Sequence, residues 1–531
     1  MPKMEAIVEA FDPNVIHPDF RLWLTAMPSP QFPVAVLQNA VKMTLEPPKG
    51  LKNNVNGSML GFSDEFYEEC NKPNEYKKML MALCWFHAVM QERRKFGPLG
   101  FNIAYDFSNS DRDCSITQLR VFLSKYDTVP FKVIHELTGD VTYGGRITDD
   151  WDRRTMNCLL ADYVQEAALT EGYQFSKDVN YVQPPLGEHK DYLKVVAEWP
   201  IQPHPEAFGL HENADITCAQ NEVKDLFETV LSLQPRVSTG AGKSREDVID
   251  EAAETLLNKM PAPWLMLDIC KWYPIMYDES QNTVLQQECM RYNKLLGQMA
   301  STLKDVRKAL KGLVVMSSEL DALSTSLYNN QVPAMWESKA YPSLKPLVLW
   351  QEDLIRRCVF VDDWVQNGLP ATFWVSGFFF PQAFLTAILQ NFARKAQIGI
   401  DTVSLEMRNQ KVKNCADPVP ELERPAEGAI IWGLFLEGCA WSVEDHTLCE
   451  SRPKELFTAF VPVWLAPVQF RVKPEPAKTF MCPCYKILTR KGVLSTTGHS
   501  TNFVCTFEVP TAVDPNHWVK RGVALFLALA Y

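Results

Sequence analysis

The sequence predicts an α+β fold that is mainly α-helical, and three observations carry that reading. Apolar residues recur at helical spacing through most of residues 51–400. The period changes to strand-like alternation after Asp401, and residues 1–50 hold only part of an α/β unit. The expected architecture is a partial α/β remnant, a helical section, a second helical section with one long helix, and a terminal antiparallel β-barrel-like subdomain.

The elements follow in chain order. Residues 1–50 suggest a short helix, a strand through Phe20 to Thr25, and a helix near Val34 to Met43 between proline clusters. A parallel sheet needs further strands and both faces covered, so the sequence is expected to begin inside a module. Residues 51 to about 172 read as helical. Tyr76, Met79, Leu80, Leu83, Cys84, His87 and Met90 form a stripe before the Phe96-Gly-Pro-Leu-Gly turn, and Asp150 to Tyr163 forms another helix. The Pro- and charge-rich stretch Gln174 to Pro205 reads as a boundary.

Beyond it, Ser244-Arg-Glu-Asp247 is a capping box, followed by a stripe of Val248, Ile249, Ala252, Ala253, Leu256, Leu257 and Met260 that Pro261 stops. Leu285, Cys289, Tyr292, Leu296, Met299, Leu303, Val306, Leu310 and Leu313 alternate spacings of four and three, implying one long helix. Gly297, Gly312, Ser317 and Ser324 weaken the seam for dimerisation, so packing within the same polypeptide is the favoured reading. The run Phe373-Trp-Val-Ser-Gly-Phe-Phe-Phe-Pro-Gln-Ala-Phe-Leu-Thr-Ala-Ile-Leu-Gln-Asn-Phe-Ala393 demands burial. Pro381 suits a first helical turn, and Phe384, Leu385, Ile388, Leu389 and Phe392 share a stripe. Its Pro, Gly and polar positions argue against a bilayer span. Ile430 to Leu436, Phe460 to Leu465, Phe480 to Leu488, Phe503 to Val509 and Val523 to Ala530 read as strands, which suggests a curled sheet or barrel that protects its edges.

Composition sets outer limits. With 531 residues, 46% of them hydrophobic, the protein is able to bury large cores in roughly two to four domains. A net charge of −11 argues against broad phosphate-backbone binding. Met1 to Ala10 carries Glu5 and Glu9 and lacks the apolar run of a secretory signal, so an intracellular setting is expected. Fourteen cysteines in 531 residues are too sparse for a disulfide scaffold. Cys482-Pro-Cys484 with His499 and Cys505 suggests zinc, as does His446-Thr-Leu-Cys449. Strand periodicity explains the Cys482–Cys484 pair without metal, and buried thiols are the preferred reading of both.

The remaining chemical motifs weaken on inspection. Gly240-Ala-Gly-Lys-Ser244 resembles the end of a phosphate loop, but Val237 stands where the first glycine belongs and a helical pattern precedes it instead of a strand. Asp149, Asp150 and Asp152 beside Arg146, Arg153 and Arg154 invite acid–base chemistry, yet a structural ion network at a helix start is the favoured reading. His211-Glu-Asn-Ala-Asp215 lacks the second histidine of a zinc-protease helix. Ser495-Thr-Thr-Gly-His-Ser-Thr contains no nucleophile elbow and reads as a hydrogen-bonded turn. No catalytic, cofactor-binding or metal residue is assigned.

A family resemblance runs through these segments. Trp374-Val-Ser-Gly-Phe-Phe-Phe-Pro-Gln-Ala-Phe-Leu-Thr with Gln390-Asn-Phe-Ala-Arg-Lys resembles the C-terminal region of dynein heavy chains, most closely the axonemal inner-arm type. His17-Pro-Asp-Phe-Arg-Leu-Trp-Leu-Thr and Val41-Lys-Met-Thr with Glu46-Pro-Pro look like the end of that family's sixth AAA+ module. Phe86-His-Ala-Val, Glu92-Arg-Arg-Lys-Phe-Gly-Pro-Leu-Gly-Phe-Asn and Tyr143-Gly-Gly-Arg-Ile-Thr-Asp-Asp-Trp-Asp-Arg-Arg look like the module's helical lid. Phe208-Gly-Leu-His-Glu-Asn-Ala-Asp, Lys308-Ala-Leu-Lys-Gly-Leu, Ser495-Thr-Thr-Gly-His-Ser-Thr-Asn and His517-Trp-Val-Lys-Arg-Gly-Val-Ala-Leu resemble the domain closing the heavy chain.

The resemblance implies residues 1–50 as the end of the sixth AAA+ module, 51–172 as its lid, 173–403 as the helical part of the C-terminal domain and 404–531 as its barrel-like part. It implies a ring-closing, regulatory piece of a minus-end-directed microtubule motor of cilia and flagella, without ATP hydrolysis of its own. ATP and Mg²⁺ would belong to earlier modules. The partners implied are the remaining ring and, through the parent complex, intermediate and light chains and microtubules; the setting is the cytoplasm and the axonemal cytoskeleton. A freestanding axonemal scaffold derived from a heavy chain is the alternative, and a nucleotide enzyme using Lys243 is the reading least favoured.

Overall fold

A computed structural model describes residues 2–12, 15–26, 29, 32–43, 48–233, 244–409, 422–470, 475–493 and 500–530. The polypeptide divides into two units, residues 1–49 and 50–531.

In the first unit, helices span Pro2–Glu9 and Val34–Asn39. The expected strand at Phe20 to Thr25 is absent: these residues form no ladder, and Trp23 is 77% exposed. A strand exists only where its N–H and C=O groups find a neighbour, and no other strand occurs among the described residues of this unit.

The second unit begins with helices Leu51–Leu60, Pro73–Glu92, Asn109–Lys125 and Asp150–Tyr163. The helix Pro73–Glu92 is buried on every side from Tyr76 to Met90, not only along its expected stripe, because neighbouring elements surround it. Its aromatic residues centre a core drawn from Leu51 to Ala214, in which Trp85 stacks on Phe175 and meets Trp199 edge-on.

A larger core gathers residues from Ile249 to Leu527. The capping-box helix runs Arg245–Lys259, with Ser244 accepting from the Asp247 N–H. The long helix spans Ser280–Leu310 and buries Leu285, Cys289, Tyr292, Leu296, Met299, Leu303 and Val306 against its own polypeptide. Leu313 lies beyond its end and is 73% exposed, so the seam stops earlier than its spacing predicts. Pro381 opens the helix Pro381–Ala396, which buries Phe384, Leu385 and Ile388, while Leu389 and Phe392 are half-buried. The long helix also fixes the start of that helix, because the buried Glu288 carboxylate accepts from the Phe379 and Phe380 N–H groups at 2.6 and 3.1 Å. Among the described residues no helix is long and apolar enough to cross a membrane.

Eleven strands among the described residues complete the unit: β1 (Thr372–Trp374), β2 (Val403–Asn409), β3 (Ala429–Trp432), β4 (Phe435–Glu437), β5 (Ala440–Ser442), β6 (Thr447–Cys449), β7 (Phe457–Ala459), β8 (Val463–Gln469), β9 (Thr479–Ile487), β10 (Phe503–Pro510) and β11 (Ala524–Ala528). They form sheets ordered β1-β3-β8-β2 and β10-β9-β11-β4-β7, with β5 and β6 paired separately. The expected antiparallel barrel is therefore corrected: among the described residues no sheet closes on itself, and β1 with β3 and β11 with β9 run parallel.

Two local causes produce this arrangement. The predicted strand Ile430 to Leu436 is split at Gly433, whose φ of +90° turns the backbone and passes β3 and β4 to different sheets. A Cβ at Gly433 would lie 2.5 Å from Trp374, so no other residue fits. The second cause is the helix Pro515–Lys520, which carries the backbone across and inserts β11 between β9 and β4. Residues Val523, Leu525 and Leu527 then face the large core, while Ala524 and Phe526 join Tyr485 in a small third core with Trp151 and Phe503.

Candidate functional site

That third core lies where the first helical section meets the five-stranded sheet, and buried polar groups surround it. Arg93, 0% exposed at the end of the helix Pro73–Glu92, donates to the carbonyls of Gly100 at 3.1 Å, Lys520 at 3.2 Å and Phe208. One guanidinium thus ties together three segments far apart in sequence. Burial pushes its pKa down to about 10, which leaves it cationic at neutral pH.

A second buried arginine works from the sheet side. Arg490 Nη2 donates to Glu437 Oε2 at 2.7 Å and to the Gly522 carbonyl at 2.8 Å, and Nη1 reaches Asn102 Oδ1 at 3.4 Å. The Asn102 amide in turn donates to Asp149 Oδ1 at 3.1 Å and to the Tyr485 hydroxyl at 3.0 Å. Gly522 allows the close approach: its φ is +69°, and an added Cβ would sit 2.3 Å from the Leu99 carbonyl oxygen. A carboxylate cluster flanks the pair, with Arg521 donating to Glu206 at 2.7 Å and Glu450 at 3.2 Å, and His517 Nε2 lying 2.6 Å from Glu450. Burial alone would raise Glu450, but the His517 hydrogen bond and the Arg521 charge outweigh it and hold the carboxyl at about 2.

The acidic cluster at Asp149 departs from expectation. Asp149 accepts from the Trp151 and Asp152 N–H groups as the helix cap, and Asp152 accepts from the N–H groups of Asn102 at 2.8 Å and Ile103 at 3.1 Å. The arginines expected to neutralise them turn elsewhere. Arg146 pairs with Asp111, Arg153 donates to the Ile147 carbonyl, and Arg154 donates to the Met481 carbonyl while lying over the Trp151 ring. Backbone N–H groups are fixed donors that need no extra charge brought into the interior, so they serve the buried carboxylates instead. Burial, then the charge of Asp149, raises Asp152 to about 7, partly opposed by those N–H bonds.

The other motifs resolve as structure or fall outside the description. Asn213, within His211 to Asp215, clamps the 452–455 turn by donating to the Arg452 and Glu455 carbonyls and accepting from the Lys454 N–H. Cys482 and Cys484 are buried thiols of β9, and Cys449 is half-buried in β6. Among the described residues no grouping of His, Cys, Asp and Glu suits a metal ion. His499 and residues 240–243, including Lys243, lie outside the described residues. Ser244, however, is described. In a phosphate loop its hydroxyl would face Mg²⁺; here it donates to Asp247 Oδ2 at 2.7 Å and caps a helix. The segment upstream is the helix Ala214–Leu233, not the strand that precedes a phosphate loop.

Sequence reasoning did not single out Arg93, Asn102, Tyr485, Arg490 or Glu437. The available signal is weak: a lone arginine following the apolar run of β9, and an Arg-Arg pair just after a helix that is buried from Tyr76 to Met90. Motifs that carry the family resemblance, around residues 92–102, 143–154, 208–215 and 517–525, converge at this junction. The junction ties elements distant in sequence through buried hydrogen bonds.

Comparison with known proteins points the same way. The family model for the C-terminal domain of dynein heavy chains matches residues 220–527, that for the dynein heavy chain AAA lid domain matches 76–214, and that for the dynein heavy chain region D6 P-loop domain matches 1–44. Dynein axonemal heavy chain 1 of Rattus norvegicus is 50% identical over 532 residues, covering 100% of the present sequence and 12% of the relative. Dynein axonemal heavy chain 12 of Rattus norvegicus is 46% identical over 100% of the present sequence and 17% of its own length, and dynein axonemal heavy chain 3 of Mus musculus is 44% identical over 99% and 13%. The polypeptide thus spans well under a fifth of the length of these curated relatives. With its C-terminal and lid regions both matched in order, it belongs to the dynein heavy chain family.

Proposed function

We propose that this polypeptide acts as the C-terminal, ring-closing portion of an axonemal dynein heavy chain, a minus-end-directed microtubule motor that bends cilia and flagella. In this reading residues 1–50 complete the sixth AAA+ module, 51–172 form its lid, and 173–403 with 404–531 make the C-terminal domain. ATP and Mg²⁺ act in earlier modules of the parent motor. The rest of the ring is the direct partner, and intermediate chains, light chains and microtubules are engaged through the parent complex. The setting is the axoneme, within the cytoplasmic cytoskeleton.

One observation carries the reading: lid and sheet are joined by buried, directional bonds through Arg93 and Arg490. A domain moves its neighbour only through contacts that differ between two states, and a junction whose bonds break together resists slipping. Rearrangement of the lid is therefore passed to the C-terminal domain as motion of one piece.

The test uses a full-length heavy chain with Arg490→Met. ATP binding should persist while microtubule gliding slows; gliding at the unaltered speed overturns the coupling role. Titration of labelled ATP against the present polypeptide should give no saturable signal that Lys243→Ala removes. Micromolar binding lost in that variant would favour an enzyme instead.

A further inference from the structure

Strands β9 and β10 bring two thiols face to face. Cys484 and Cys505 are directly opposed in antiparallel register, beside an irregularity between Phe503 and Cys505. Both side chains meet the large C-terminal core, Cys484 fully buried and Cys505 half-buried. The two thiols sit close enough to influence each other's ionisation, and burial holds Cys484 well above the usual thiol range. Opposed residues of antiparallel strands lie about 4.5–5.5 Å apart at Cα, inside the span of about 4.4–6.8 Å that a disulfide accepts. The neighbouring Cys482 opposes Phe507 instead of a thiol.

We propose that Cys484 and Cys505 form a reversible cross-strand disulfide, closed by exchange with a small-molecule disulfide such as oxidised glutathione. The Cys505 thiol gives its proton to solvent and its sulfur attacks one sulfur of the small disulfide. That S–S bond breaks, and one thiolate leaves and is protonated. Cys484 then loses its proton and attacks the Cys505 sulfur, expelling the second small thiol. In the balance, two protein thiols are oxidised and one small disulfide is reduced to two thiols.

The division of roles follows from burial. A thiol held protonated in an apolar interior does not react with an external oxidant, so Cys505 is the point of attack and Cys484 the resolving partner. In a reducing compartment the pair stays open by default. Closure locks β10, an edge strand, to β9. It thereby stiffens the two strands whose Phe503 and Tyr485 face Trp151 and Asn102 at the junction.

The test equilibrates the 531-residue polypeptide with glutathione buffers of rising oxidised-to-reduced ratio, then traps free thiols, digests and maps linked peptides. The expected product is a Cys484–Cys505 peptide pair, lighter by two hydrogens and opened by excess reduced glutathione. Cys484→Ala should instead accumulate a glutathione adduct on Cys505. Should that variant fail to fold, Cys505→Ser serves: the linked pair should vanish and Cys484 should label only after denaturation. A native protein that stops at the Cys505 adduct, links Cys505 to Cys482, or stays unmodified while folded overturns the proposal.

Discussion

The bundle around Ser280–Leu310 and the junction around Arg93 and Arg490 both bury large side chains, but by different means. In the bundle, Leu285, Leu296, Leu303 and Val306 touch apolar neighbours; its buried charges are few, Glu288 on the Phe379 and Phe380 N–H groups and Arg357 paired with Asp353, and an ion pair between Arg307 and Asp250 lies at its rim. In the junction, charged groups are buried and meet carbonyls, amides and carboxylates at fixed angles. Apolar contact is non-directional and tolerates small shifts, whereas a buried donor that loses its acceptor strands a polar group in the interior. The bundle should therefore absorb conservative change, and the junction should not.

The largest expected difference comes from Arg93→Ala. It strands the carbonyls of Gly100, Phe208 and Lys520 together. At about 1–3 kcal/mol for each unsatisfied group, with partial access of water, the loss should be on the order of 4 kcal/mol in denaturant unfolding. Arg93→Lys should recover little, because an ammonium cannot fork across several acceptors. The counterpart in the bundle is Leu303→Ala, with an expected loss of about 3 kcal/mol, while Leu303→Met should cost less than about 1.5 kcal/mol. If the two conservative variants lose equal stability, the contrast between the regions is broken.

The same contrast explains what could be read from the sequence. Periodicity follows from one-sided apolar burial, so the helices Arg245–Lys259, Ser280–Leu310 and Pro381–Ala396 were legible, as were the approximate places of β9, β10 and β11. It placed the helix over Tyr76 to Met90 but not its burial on every side, and it is silent where a single glycine reassigns a strand, as at Gly433. It also cannot say which neighbour a strand takes, and so an open mixed sheet looked like a barrel. The junction was not legible, although several of its residues fall in motifs that carry the family resemblance. Arg93 and Arg490 have partners that are mostly backbone carbonyls, and backbone groups leave no mark on a pattern of side chains.

A subtler probe of the junction is its response to pH. Asp152 has a folded-state pKa of about 7 against an ordinary value of 3.8, so between those limits the folded protein holds the proton more tightly than the unfolded one. This group's contribution is fully present below about pH 4, falls as pH rises, and is gone above about pH 7. Thermal midpoints should accordingly show a component declining across pH 5–7, and Asp152→Asn should flatten it. The amide leaves one of the N–H groups at 102 and 103 without an acceptor, a pH-independent loss of about 1–3 kcal/mol that shifts the curve without restoring its slope. An unchanged slope would mean that Asp152 is ionised throughout, held so by its two backbone donors.

The smallest effect belongs to Ser244, and it sharpens the comparison from the bundle side. Its hydroxyl satisfies the Asp247 N–H at the exposed start of the helix Arg245–Lys259. Ser244→Ala should lower stability by about 1 kcal/mol, and Ser244→Asp or Ser244→Asn should restore it, since either can accept the same N–H. A metal-liganding hydroxyl would behave differently. Replacement by Ala would leave unfolding unchanged without nucleotide and remove a Mg²⁺-dependent stabilisation with it. Denaturant curves with and without Mg-ATP therefore separate a helix cap from a nucleotide ligand at one residue, and the capping geometry requires the two curves to coincide.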